Sequence, residues 1–251
     1  MLQLEKLLKA DIMKLKSTQI VWMHLYIPIL GLILFLSYYL YSPWDSMSKI
    51  SAYLQVLCMI FPILIGIITS MMADQEYVAG CYRNLLASSE TRCLSFLSKL
   101  ILVLAFGALS TIIAVLGFYI GYTFIEDIIF PFTMYLKVAG VLICSNIFLY
   151  ILHFFLSLRF SKGISIGIGI VESLISALFL TGMGDGRWPF LPSSWSIRFI
   201  SSLLMKYQDS GGAFRDPALT LGIMISIVGT ILSLIIIVAW YTKWEGEKSE
   251  E

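Results

Sequence analysis

Six long apolar runs constrain this chain more than any other feature of its sequence. They lie at about residues 20–41, 51–72, 100–125, 134–158, 164–182 and 217–241. Each is near the roughly 20 residues that a helix needs to cross a hydrocarbon core. The runs are continuous rather than alternating, and an open sheet cannot satisfy its backbone in lipid, so strands are excluded. Only 13% of the residues are charged, where a soluble domain carries about a quarter, and mean hydropathy is +0.88. The expected fold is an all-α integral membrane protein: one transmembrane domain over residues 1–251 with six spans and no separate soluble domain.

The short-loop lysine and arginine bias gives the orientation. Lys6, Lys9, Lys14 and Lys16 precede the first span, and Arg83, Arg92 and Lys99 lie between the second and third. Arg159 and Lys162 follow the fourth span, and Lys243 and Lys248 follow the last. The other two short connections hold only Lys49 and Lys137, beside Asp45, Glu126 and Asp127. Both termini are therefore expected on the cytoplasmic side. Trp22, Trp240 and Trp244 read as an inner aromatic belt and Trp44 as part of the outer one.

Three segments do not span. Residues 1–19 hold Leu4, Leu7, Leu8, Ile12 and Leu15 on one helical face, with the lysines mostly off it. That is a basic amphipathic helix lying in the interface. Residues 73–99 are a cytoplasmic region in which Val78, Cys81, Tyr82, Leu85 and Leu86 follow the i, i+3, i+4, i+7, i+8 stripe of a helix. Such a helix lies on the membrane or docks a cytoplasmic partner. The external segment 183–216 opens with turn residues in GMGDGRWPFLPSSW and continues into an apolar face of Phe199, Ile200, Leu203, Leu204 and Tyr207. It reads either as a surface loop with a helix or as a segment dipping into the outer leaflet.

Several functions are excluded or weakened. A net charge of +1 without a basic stripe argues against nucleic-acid binding. No GxxxxGK[ST] loop is present, so this chain has no phosphate-binding loop of its own. The two histidines, His24 and His153, sit in different runs, with no HExxH and no triad spacing, so no catalytic and no metal-binding residues are expected. His153 and Arg159 read as interfacial anchors. The cysteines Cys58, Cys81, Cys93 and Cys144 read as apolar fillers or reduced thiols. A channel or ion-coupled carrier remains as an alternative, though the internal repeat typical of carriers is missing.

Glu172 lies near the middle of the fifth run, where a charge is costly. Either it lines a polar route or subunit interface, or it bonds to a neighbouring span such as the one bearing Ser145 and Asn146. Ser165, Gly169, Ser173 and Ala177 form a row of small residues along the same helix, suited to close packing.

The pattern resembles type-2 ABC exporter permeases. These have a flat N-terminal helix, six spans, a cytoplasmic helix between the second and third, and re-entrant external helices before the last. The residues that carry the likeness are Glu76, Gly80, Leu85, Leu86, Ser89, Arg92 and Lys99 in EYVAGCYRNLLASSETRCLSFLSK. LLKADIMKLKST, followed by IPILGLILFLSYYLY, resembles the permease subunits of lantibiotic immunity transporters of the mutacin and epidermin type.

This resemblance implies a bacterial cell-membrane permease that expels a lantibiotic-type peptide. Another cargo, such as a drug, a lipid-linked glycan or a different peptide, is the alternative. ATP and Mg would be bound by a separate ABC ATPase, in two copies, and a second, different six-span permease would complete the assembly. No cofactor is expected on this chain. Coupling to the ATPase is then expected from Glu76, Val78, Gly80, Cys81, Tyr82, Arg83, Leu85, Leu86 and Arg92, with Glu76 and Arg83 pairing either with the ATPase or with the N-terminal helix. Cargo contact is expected from Glu172, Asp185, Trp188, Trp195 and Asp209.

Overall fold

The computed structural model describes residues 2–16, 18–87, 92–127, 129–209 and 216–246. Ser89, Lys248 and residues 210–215 lie outside the described residues. The described part is all-α, without a strand. The helices are α1 (Leu2–Leu15), α2 (Gln19–Tyr39), α3 (Ser46–Val78), α4 (Arg83–Ala87), α5 (Arg92–Tyr122), α6 (Phe132–Arg159), α7 (Lys162–Phe179), α8 (Trp195–Gln208) and α9 (Leu219–Lys243). Three single 3-10 turns at 182–184, 188–190 and 192–194 join α7 to α8. Six of the helices, α2, α3, α5, α6, α7 and α9, are long and apolar enough to cross a membrane. The even number puts both ends of the chain on one face and α8 on the opposite one.

Helix α3 is the central post, packed against α2, α5, α6, α7 and α8. Its 33 residues reach about 50 Å at 1.5 Å each, well beyond the roughly 30 Å of hydrocarbon. No helix breaker follows Met72 until Gly80, so α3 continues past the apolar run as far as Val78. Helix α5, with 31 residues, overhangs in the same way. These overhangs place charged residues beyond the bilayer on the face that carries the termini.

The small-residue row on α7 lets it lie directly against α3. A Cβ on Gly169 would sit 2.6 Å from the Pro62 carbonyl oxygen, and the Ser173 hydroxyl donates to the Met59 carbonyl at 2.5 Å. A Cβ on Gly66 would come within 2.9 Å of the Ser165 carbonyl oxygen. The two helices are therefore packed backbone to backbone.

At the face opposite the termini, Glu126 just beyond α5 accepts from Lys49, from the Ser46 hydroxyl at 2.5 Å and from the Tyr122 hydroxyl at 2.7 Å. These hydrogen bonds, from Lys49 first, hold the carboxyl at about 2. A depressed carboxyl contributes stability that is complete above its ordinary value near 4.5 and is lost as pH falls towards the folded value. Thermal unfolding in detergent is expected to weaken between about pH 4.5 and 2. Glu126→Gln should lower stability at pH 7 and flatten that part of the acid limb.

Candidate functional site

The overhanging end of α3 carries a buried acid. Glu76 is 2% exposed and contacts Lys99 Nζ at 2.5 Å and Lys14 Nζ at 3.1 Å. Lys99, wholly buried near the start of α5, also reaches Asp11 at 2.9 Å. The Ser98 hydroxyl donates to Asp11 at 2.6 Å. Two acids and two bases from α1, α3 and α5 thus form one chain, Asp11–Lys99–Glu76–Lys14, in which opposite charges cancel. Burying such charges is tolerable only when each has its partner. The network accounts for the rotation of α1: Asp11 and Leu15, one turn apart, face inward, while Ile12 of the expected apolar face is 49% exposed.

The connection after Glu76 differs from the continuous amphipathic helix that its apolar period predicts. Helix α3 stops at Val78, and Gly80, Cys81 and Tyr82 take positive φ values of 137°, 49° and 64°. The Cys81 amide donates to the Tyr77 carbonyl at 2.6 Å and the Tyr82 amide to the Glu76 carbonyl at 3.3 Å, which closes the helix end. Left-handed backbone at Cys81 and Tyr82 costs about 1–2 kcal/mol each. Full burial of the Tyr82 ring, 4.9 Å from Trp244, offsets it. A five-residue helix, α4, follows.

The turn divides the predicted stripe. Tyr82 and Leu85 point into the bundle and Leu86 packs on its edge, whereas Val78 is 85% exposed and Cys81 and Arg83 face outward. Arg92 is exposed but turns back onto the bundle. Its guanidinium donates to the Trp244 carbonyl at 3.0 Å and caps the end of α9. Trp244 is likewise buried rather than set in an interfacial belt. Of the expected coupling residues, then, Val78, Gly80, Cys81 and Arg83 form a projecting tip, while Glu76, Tyr82, Leu85 and Arg92 brace it. Asp11, Lys14, Lys99 and Trp244 belong to the same unit; a pairing of Glu76 with the N-terminal helix was one of the two expected, and Lys14 provides it, whereas the parts of Asp11, Lys99 and Trp244 were not foreseen.

Mid-membrane, Glu172 bonds to His153 rather than to Ser145 or Asn146, whose side chains turn back to the Leu142 carbonyl of their own helix. His153 is fully buried, with Nε2 2.7 Å from Glu172 and Nδ1 3.0 Å from the Ser165 hydroxyl. It is an interhelical link between α6 and α7, not an interfacial anchor, because the small residues of α7 bring the helices close enough to bury it.

In the external segment, Trp188 and Trp195 are 1% and 2% exposed. The Trp188 ring lies on Gly222 of α9 and edge-on to Phe199 at 5.3 Å. Trp195 donates to the Pro189 carbonyl at 2.9 Å and packs edge-on to Phe148 at 5.4 Å. Both indoles, expected to meet cargo, face inward in this structure and hold the segment onto the bundle. What this segment shows outward is Asp185, paired with Arg198 at 2.9 Å, together with Met183, Arg187 and Phe190. Asp209 closes the C-terminal end of α8.

A model of the ABC-2 family transporter proteins matches residues 7–178. The chain belongs to that family. The match runs from α1 to the end of α7, so it takes in the four-charge network, the projecting tip and the His153–Glu172 link. No curated relative and no solved structure matches. As an ABC-2 protein the chain is a membrane permease subunit of an ABC transporter, a transport component of a kind that typically works with an ATPase partner.

Proposed function

We propose that this ABC-2 permease transmits the motion of a separate ATPase through the tip at residues 77–87, and that it expels an amphiphilic cationic peptide of the lantibiotic type. The observation that carries the coupling reading is the buried network behind the tip. Lys99 and Glu76 clamp α5 to α3, and Lys14 and Asp11 clamp α1 to both. A push on Val78 or Arg83 then reaches two helices that run unbroken to the opposite face. Packed helices shift as units rather than deforming. A membrane-resting role for residues 73–99 fits less well, since the apolar side chains Tyr82 and Leu85 face the bundle.

The cargo reading rests on the resemblance to immunity permeases and on two acidic features. Glu172, bonded to His153, leaves part of its carboxyl group exposed within the membrane, and Asp185, paired with Arg198, lies among exposed Met183, Arg187 and Phe190 outside. Acid beside apolar surface suits a peptide that is both cationic and greasy. The assembly would contain two ATPase copies and a second six-span permease, in a bacterial cell membrane with both termini cytoplasmic.

The test is co-expression with a candidate ABC ATPase from the same organism. Val78→Asp and Arg83→Glu alter exposed side chains and are expected to leave the permease folded. Each should weaken ATPase co-purification about thirtyfold, as loss of an interface hot spot does. Undiminished capture and ATP turnover in both variants would refute docking at the tip. In the same cells, loss of the permease should sensitise growth to cationic lantibiotics and not to neutral drugs; the reverse pattern would reassign the cargo.

A further inference from the structure

A groove opens sideways between α6, α8 and α9 on the half of the molecule that carries α8. Its cavity is about 540 Å³, within the range of small-molecule sites. One wall is a single face of α9, running from Leu219 through Ile223 and Ile227 to Ile231. Those twelve steps cover roughly 18 Å, close to the roughly 15 Å of one leaflet's hydrocarbon. Val141 and Leu203 supply the facing walls.

Hydroxyl groups line the groove, but their protons are already given to neighbouring oxygens. Ser145 donates to the Leu142 carbonyl, Ser226 to Ile223, Thr230 to Ser226, and Ser202 to Asp216. A peptide strand entering here would find no free hydroxyl proton for its carbonyls, whereas a hydrocarbon chain would lose nothing. At the mouth stands Lys206, in the last turn of α8, with no salt bridge among the described residues. Lys137 lies one turn outward from Val141 on α6, its Nζ 3.0 Å from the Tyr207 hydroxyl. Asp216 accepts from Ser202 and from the Ala218 amide, Asp209 ends α8, and Asp185 pairs with Arg198; none of the three lines the groove. Lys206 is therefore the one charged side chain on the groove's lining, at the mouth of an apolar slot one leaflet deep.

We propose that this groove holds one anionic phospholipid, with an acyl chain in the slot and its phosphate on Lys206. This is a resident lipid that ties α8 to α6 and α9, separate from any transported cargo. Native mass spectrometry of the full chain in mild detergent tests it, with phosphatidylglycerol and phosphatidylcholine of identical chains as probes. One phosphatidylglycerol should be retained in preference to phosphatidylcholine. Lys206→Glu removes a positive charge and adds a negative one, so it should weaken that retention by more than about fivefold, the worth of one basic residue at an anionic surface. Lys243→Glu, an equal charge change at the opposite face, should leave it intact. Thr230→Trp should block the slot without changing charge, and the Lys206 and Lys243 variants decide the matter if it misfolds. Equal retention of the two lipids, or phosphatidylglycerol retention that survives Lys206→Glu, overturns the proposal. A retained species of peptide mass would overturn it in favour of a cargo site.

Discussion

Replacing Lys99 by methionine is expected to cost about 3–5 kcal/mol of stability, the usual penalty for removing one partner of a buried ion pair. Methionine fills much of the same volume, so the loss is electrostatic rather than steric. Glu76 would keep only Lys14, which is 42% exposed, and Asp11 would keep only the Ser98 hydroxyl. Glu76→Gln is expected to be similarly damaging, since it strands Lys99 beside Asp11 alone. The double variant should cost less than the sum of the two by about 1–3 kcal/mol, because neither charge is then left facing an uncharged partner. A double-mutant cycle in detergent or bicelles measures this, and strict additivity would show that the pair is not a unit. Coupling gives a second readout. Where the double variant folds, ATPase capture should persist, because the tip is intact, while cargo-stimulated turnover should fall. Full stimulation in that variant would leave the network as a structural clamp with no part in transmission.

The network shows what a sequence of this kind conceals. The spans were legible because each is a local count of apolar residues, and lipid leaves helices little alternative. Asp11 and Lys99 are 88 positions apart (99 minus 11), and their meeting depends on how α1 is rotated on α5, which no local period records. The turn at Gly80–Tyr82 was hidden for a different reason. Cys81 and Tyr82 are poor candidates for left-handed backbone, so the apolar period appeared to run through them. Burial of one tyrosine against Trp244 of the last helix, far away in sequence, decides the conformation. Glu172 was legible as a charge that must have a partner, but not which partner. His153 became available only because Gly66 and Gly169 draw α7 against α3.

Trp188→Ala is expected to remove about 3–5 kcal/mol, as large-to-small changes of buried aromatics do, and to lower the yield of folded permease. That outcome separates packing from cargo contact. A contact residue would leave the fold intact and change only peptide protection. Aromatic residues near a membrane surface suggest interface or ligand, but here the indole closes the gap between the 3-10 turns and α9. The Ser194 hydroxyl donates to the Trp188 carbonyl at 2.9 Å and fixes the turn that delivers the ring. Gly222 is the complementary feature, because any side chain there would occupy the volume of the ring. Gly222→Ala should therefore destabilise by about 1–3 kcal/mol through overpacking. Trp188→Ala combined with Gly222→Ala should be milder than the sum, since the new methyl group enters the space that the indole vacates. Unfolding midpoints of the three variants test this directly. If Trp188→Ala melts like the parent chain and loses only peptide protection, the indole is a cargo contact after all, and the outward surface of Met183, Phe190 and Asp185 loses its claim to that role.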